Sequence, residues 1–129
     1  FEDKKRREDI IQKYQKAGIP AGSTMHGAFY DVSVFSYDPQ IREISKLRMR
    51  QSMEIAQELS VKGVVFHTNW NPMLSNIVYD DQVVDGTCTF VRHLLEAYPE
   101  IQIYMENMFD SDPVILQKIS EQLCVYSNF

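Results

Sequence analysis

Glycine and proline are scarce, five of each in 129 residues, and cysteine occurs only twice. So little glycine excludes a collagen-like repeat, and Cys88 and Cys124 alone cannot build a disulfide scaffold. Neither has another Cys or a His at zinc-knuckle spacing, and both fall in helical patterns, so they read as reduced thiols in or near a core. Positive charge is also short. Thirteen Lys and Arg against eighteen Asp and Glu leave a formal charge of −5, which disfavours broad affinity for nucleic acid. The basic run Lys4 to Arg7, interrupted at once by Glu8 and Asp9, reads as a solvated helix face. No apolar run approaches the ~20 residues of a membrane span, and neither a secretory signal nor an Asn-X-Ser/Thr acceptor is visible. These absences set the expectation of a cytoplasmic protein with no membrane partner. What is present, 44% apolar and 12% aromatic side chains, describes one folded domain over residues 1–129. The first residue is Phe1 rather than Met, which suggests a processed product or an excerpt of a longer protein.

Periodicity divides the chain into alternating elements. Residues 2–17 open with Glu2 and Asp3, carry Ile10, Ile11, Tyr14 and Ala17 on one stripe, and stop at Gly18 and Pro20: a helix. Residues 23–29 read as a strand and 30–37 as a loop. Asp38-Pro39 is a strong helix opener, and the helix runs to about Ser60 with Ile41, Ile44, Ser52, Ile55, Ala56 and Leu59 as its buried stripe, interrupted by Arg48. Residues 61–67 form a β-rich run of the kind buried on both faces, followed by an Asn- and Pro-containing loop over 68–80. A helix over 82–98 shows the cleanest period, through Val84, Thr87, Cys88, Val91, Leu94 and Leu95, and Pro99 stops it. Residues 101–106 form a third strand. Asp112-Pro113 then opens a fourth helix with Ile115, Ile119 and Leu123 inside. Strands separated by helices of this length pair in parallel through right-handed crossovers, so the fold class is α/β, built of parallel βα units.

Three polar residues close the three strands: His26, His67 and Glu106, spaced 41 and 39 residues apart. In a parallel sheet all strand C-termini lie along one edge, where α/β proteins place their ligands. Two imidazoles and a carboxylate converging there are a metal-ligand inventory, because each donates a lone pair to a divalent ion. A large aromatic follows each by three positions, Phe29, Trp70 and Phe109, as candidate walls of a substrate pocket. Asn69, Asn71 and Asn107 are candidates either to bind ligand hydroxyls or to stabilise loops. His93, on the third helix, has the character of an ordinary surface or packing residue. Alternation from Glu106 puts Tyr104 and Gln102 on its face, opposite Ile101, Ile103 and Met105, so a barrel interior accepting Gln102 needs polar partners.

The segments STMHGAFYDVSVFSYDP, VVFHTNWNP and IYMENMFDSDP, in that order over residues 20–125, resemble three consecutive pieces of the xylose-isomerase-like TIM barrels. That superfamily holds sugar and sugar-phosphate isomerases and epimerases together with endonuclease IV-type apurinic endonucleases. Glu106 matches the family's strand-end Glu-Asn, whose glutamate binds metal. His67 matches a strand-end histidine before a Pro-containing loop. His26 matches the histidine of a His-X-X-Tyr-like segment, although the aromatic pair here is Phe29-Tyr30.

In the endonuclease branch both histidines are ligands. In many isomerase-branch members such histidines stand on the substrate side instead. The resemblance implies a divalent cofactor (Mn, Zn, Mg or Co), a sugar as small-molecule substrate, Glu106 and His67 as catalytic groups, and His26, Phe29, Trp70, Asn107 and Phe109 around the substrate. A full barrel takes eight strands and ~250 residues. The family's next strand, with an Asp-X-X-His pair, would begin about where Asn128-Phe129 stand. The chain therefore reads as a partial TIM (β/α)8 barrel of about three strands and four helices, with an incomplete metal site and open sheet edges prone to self-association. The leading expectation is a piece of a metal-dependent isomerase or epimerase. The alternatives are a zinc phosphodiesterase acting on abasic DNA and a non-catalytic α/β fragment, the last being the expected state of these residues on their own.

Overall fold

Helix starts are written in the sequence as side chains that accept hydrogen bonds from free amides, and a computed structural model of the chain shows five of them in use among the described residues. It describes residues 3–108 and 110–129. Asp3 accepts from the Arg6 amide and opens α1 (Lys4–Ala17). Asp38 accepts from the Gln40 and Ile41 amides and, with Pro39 in the first turn, opens α2 (Pro39–Glu58). Asn71 caps a 3-10 turn at Pro72–Leu74. Asn76 accepts from the Tyr79 amide and opens α3 (Ile77–Ala97) five residues before the expected start. The expected loop over 68–80 contained this cap unrecognised, because Asn signals a turn and a helix start equally well. Helix α4 (Val114–Leu123) follows Asp112-Pro113 as expected, with the Asp112 carboxylate accepting from the Val114 amide. Glu2 lies outside the described residues.

Three short strands, β1 (Thr24–His26), β2 (Gly63–His67) and β3 (Gln102–Glu106), form one sheet in the order β1-β2-β3, both pairings parallel. This is the predicted α-β-α-β-α-β-α order. The strands are shorter than expected, β1 by four residues, because the chain turns off the sheet at Gly27. A side chain there would meet the Phe66 ring (2.6 Å to Cδ1) and Val64 (3.0 Å to Cγ1).

The register puts Thr24, Gly63 and Gln102 on one level, and His67 beside Glu106. Period-two alternation then sorts the sheet into two faces. Val64, Phe66 and Ile103 are fully buried in the helix-covered core with Met53, Val83, Val91, Leu94, Ile115, Ile119 and Leu123. The other face carries Thr24, His26, Val65, His67, Gln102, Tyr104 and Glu106, all exposed or half-buried. The expectation that residues 61–67 are buried on both faces thus holds only for the helix-covered one in this chain. Gln102 finds one polar neighbour, the Ser127 carbonyl at 3.4 Å from its Nε2.

Two predicted stripes shift. Ile10 and Tyr14 of α1 are exposed and only Ile11 of that helix is buried, while Gln15 Nε2 donates to the Glu58 carbonyl of α2 at 3.0 Å. On α2 the buried positions are Ser45, Met49, Ser52, Met53 and Ala56, while Ile41 and Ile44 are exposed. The helix is rotated by two hydroxyls: Ser45 Oγ accepts from the Ser33 amide (2.8 Å) and Ser52 Oγ from the Ala28 amide (3.0 Å), satisfying loop donors that no strand satisfies. Cys88 is buried and its thiol pushed up to about 11 by desolvation, an inert core group; Cys124 is exposed at the end of α4, contrary to the core reading. After α4, Asn128 lies along the outer edge of β3, where its carbonyl accepts from the Ile103 amide at 2.8 Å. Its side-chain amide reaches the Leu95, Tyr98 and Ile101 carbonyls. Among the described residues no helix is long and apolar enough to cross a membrane.

Candidate metal centre

His26, His67 and Glu106 end their three strands, and because those strands run the same way the three side chains meet at one rim. One ligand-capable atom from each lies within 4.8 Å of the others. The imidazole Nε2 atoms of His26 and His67 are 2.7 Å apart, and His67 Nε2 is 3.8 Å from Glu106 Oε2. Tetrahedral coordination at 2.0–2.1 Å places ligand atoms about 3.3 Å apart, so the two pairs that share His67 need changes of about half an ångström and the His26–Glu106 pair, at up to 4.8 Å, about 1.5 Å. The donor chemistry and the spacing fit a divalent ion.

Protons decide what the histidine pair is doing. His26 Nδ1 is 2.9 Å from the Gly27 carbonyl, which only accepts, so Nδ1 carries the hydrogen and Nε2 presents a lone pair. The 2.7 Å contact then requires the hydrogen on His67 Nε2, leaving His67 Nδ1 as a buried lone pair without a partner among the described residues. Burial and the neighbouring His26 hold the His67 pKa below its usual value, opposed by the charges of Glu106 and Asp110. A histidine kept neutral is one ready to ligate.

The surrounding candidates divide. Phe29 stands at the site, its ring edge-on to His26 (4.7 Å between centroids) and 5.4 Å from His67. Trp70 is 5% exposed, and its indole N–H donates to Asp80 Oδ1 at 2.7 Å, so in this chain it props the rim from within the core. Asn107 donates to the Asp110 carbonyl (2.7 Å) and Asn69 to the Val32 carbonyl (2.9 Å), both loop-stabilising bonds, while Asn71 caps the 3-10 turn. Phe109 lies outside the described residues. His93 sits on the outer helix layer, in a groove with Glu43, Lys46 and Arg50. Sequence reasoning passed over Asp110, whose carboxylate is buried at this rim; its position four residues after Glu106 was the available signal.

Comparison with solved structures finds the same arrangement of elements. A D-tagatose 3-epimerase-like protein aligns over 91% of this chain with a TM-score of 0.68 and 22% identity. The TTHB071 protein from Thermus thermophilus, from a crystal soaked with ZnCl2, aligns over 94% with a TM-score of 0.70 and 17% identity. The fold is one arc of a TIM (β/α)8 barrel. Within that barrel the chain spans about half the length of each of these two proteins, 46% and 48%. No protein-family model and no curated protein matches it. The exposed sheet face with Tyr104, Gln102 and Glu106 is therefore the one that lines the interior of a barrel of this fold, and the rim with His26, His67 and Glu106 is its C-terminal end.

Proposed function

We propose that this chain supplies part of the metal centre of a metal-dependent sugar or sugar-phosphate isomerase or epimerase. The observation carrying the proposal is the convergence of His26, His67 and Glu106 at the C-terminal rim of a parallel sheet. That is where barrels of this kind do their chemistry. The similarity to a D-tagatose 3-epimerase-like protein supports the substrate class.

A divalent ion of the Mn, Zn, Mg or Co class held by His26, His67 and Glu106 supplies Lewis acidity toward a substrate carbonyl or hydroxyl oxygen. Glu106, with an exposed carboxylate, is both ligand and the group best placed to hold a proton beside the reacting carbon. His67 ligates or orients the substrate oxygen. Phe29 offers an apolar wall beside His26, the surface a sugar ring edge packs against. Three ligands leave the site open, so the remaining groups come from elsewhere in a complete barrel, and the chain by itself is expected to be catalytically silent. The test is a protein carrying the whole barrel, assayed with a panel of ketoses and ketose phosphates in each ion. Epimer or isomer formation that is abolished by Glu106→Ala supports the reading; turnover that survives the substitution refutes the ligand role.

A second reading, a zinc phosphodiesterase acting on abasic DNA, is favoured by one specific feature: both histidines turn Nε2 toward the same point at the rim. The charge of −5 opposes it, since DNA is gripped through phosphate contacts. Incision of an abasic duplex by the zinc-loaded whole barrel would establish this branch, and a single bound ion with no nicking would remove it.

A further inference from the structure

Between the loop that follows β1 and the first two turns of α2 lies a cavity of about 500 Å3, open to solvent and within the size range of small-molecule sites. Phe29 is common to this cavity and to the metal rim. It lines the cavity, and its ring centroid stands 4.7 Å from that of His26 and 5.4 Å from that of His67. The other apolar walls are Val32, Ile41 and Ile44. Both isoleucines are exposed, because α2 turns Ser45 and Ser52 inward instead. Apolar side chains left open around a concavity are a surface that a ligand covers.

The lining is fixed in advance. Asp31 and Asn69, both part of it, take φ of +55° and +52°, the left-handed region that residues other than glycine keep only where their surroundings enforce it. Two cross-links do so: the Asn69 side-chain amide donates to the Val32 carbonyl at 2.9 Å, and the Ser33 amide donates to Ser45 Oγ at 2.8 Å.

Charge decides which ligands fit. Among the described residues the one charged group in the lining is the exposed Asp31 carboxylate. The cations that flank Ile41 and Ile44 on α2 are engaged elsewhere: Arg42 Nη1 donates to the Ser36 and Tyr37 carbonyls at 2.6 and 3.0 Å, and Lys46 Nζ pairs with Glu43 at 2.9 Å. The Gln40 and Ile41 amides at the start of α2 are taken by the Asp38 carboxylate. A phosphate group gives up its water only for guanidinium, ammonium or free amide donors, and here it meets an anion and aliphatic carbon.

We propose that this cavity is the subsite for the far end of a sugar held at the metal rim, and that it selects an uncharged, apolar terminus, such as the methyl end of a 6-deoxyketose, against a phosphorylated one. This rests on the reading of the rim as a sugar-converting metal centre and narrows its substrate class from sugar or sugar phosphate to an unphosphorylated sugar of deoxy type. It also gives Ile41 and Ile44 a role that the core does not.

The experiment uses the chain with 13C-labelled isoleucine δ1 methyls and three probes that differ only at C6: 6-deoxy-D-fructose, D-fructose and D-fructose 6-phosphate. Each is titrated with and without Zn2+, and its dissociation constant is read from the Ile41 and Ile44 methyl shifts. The 6-deoxy sugar is expected to bind about three- to tenfold more tightly than D-fructose, since it buries a methyl where the other buries a hydroxymethyl. The 6-phosphate is expected to bind about tenfold more weakly than D-fructose. Asp31→Asn, a residue equally tolerant of positive φ, should bring the 6-phosphate about threefold closer to D-fructose. Ile44→Lys, at an exposed position and read at the Ile41 methyl, should reverse the order in favour of the 6-phosphate. Equal affinities for the three probes, a wild type that prefers the 6-phosphate, or an order that Ile44→Lys leaves in place overturns the proposal. Methyl shifts that follow protein concentration and ignore sugar mean that a second copy covers the cavity, and overturn it too. The expected order with no effect of zinc on any affinity supports the cavity's selectivity and overturns the metal-centre reading, so the two failures are told apart.

Discussion

Ser52 is the most informative position for testing how the rim is held. It is fully buried in the middle of α2, where its hydroxyl accepts from the Ala28 amide and donates to the Arg48 carbonyl, both at 3.0 Å. Ala28 follows His26 and Gly27 and precedes Phe29, so this one bond fixes the segment that carries two site residues. Ser52→Ala strips the amide of its acceptor in a half-buried setting. An unsatisfied buried donor costs about 1–3 kcal/mol, and the better helix propensity of Ala returns about 0.5 kcal/mol. The net loss is about 0.5–2.5 kcal/mol, or about 2–9 °C in Tm for a domain of this size. Ser45→Ala removes the equivalent bond to the Ser33 amide and should cost a similar amount. The two serines are seven residues apart, about 10 Å along the helix, so the double variant should equal the sum within about 0.5 kcal/mol. Urea titration of the four proteins measures this. A Ser52→Ala variant within 0.5 kcal/mol of wild type, as a rough limit for an ordinary surface change, would show that the hydroxyl is not the amide's essential partner.

Other expectations follow from the same contacts. Asn128→Ala removes the side-chain amide that reaches the Leu95, Tyr98 and Ile101 carbonyls and should cost about 1–3 kcal/mol, read by thermal unfolding; no change would mean the tail does not hold the edge of β3. Gly27→Ala forces a methyl against Phe66 and Val64 and should destabilise by about 1–3 kcal/mol by overpacking, whereas Gly22→Ala, with open space around it but a φ of +81°, should cost only backbone strain. The pKa of His67 is lowered in the folded chain from 6.5, so the unfolded chain binds the proton more readily. Its contribution is therefore complete above pH 6.5 and is lost as pH falls toward the lower folded value. Urea midpoints at pH 7.5 and 5.5 should fall further for wild type than for His67→Asn, and equal falls would contradict the shift.

The sequence made the order of elements and the parallel sheet legible because both follow from local periodicity and the length of the connections. Helix openers were readable where Asp preceded Pro, at 38 and 112, and missed at Asn76, where the same chemistry looked like a loop. The register of α2 was readable only in its second half, where Ser52 and Ala56 are buried as expected. Ser45 and Ser52 face inward to serve amides 12 and 24 residues away, a demand set by tertiary structure, while Ile41 and Ile44, the obvious core choices, stay exposed. At the site, His26, His67 and Glu106 could be paired because the strand spacing is regular. Which tautomer each imidazole holds depends on atoms such as the Gly27 carbonyl, which only a structure supplies. Trp70 shows the limit of spacing arguments: it shares its offset with Phe29, yet one ring stands beside the histidines and the other is bonded to Asp80 inside the core.

The most direct test of the shared rim is zinc K-edge absorption on the zinc-loaded chain. The expected spectrum has a nitrogen and oxygen shell at about 2.0–2.1 Å with the multiple-scattering signature of two imidazoles, reduced to one in His67→Ala and in His26→Ala. A shell without imidazole scattering, or one indifferent to both substitutions, would contradict the shared metal centre.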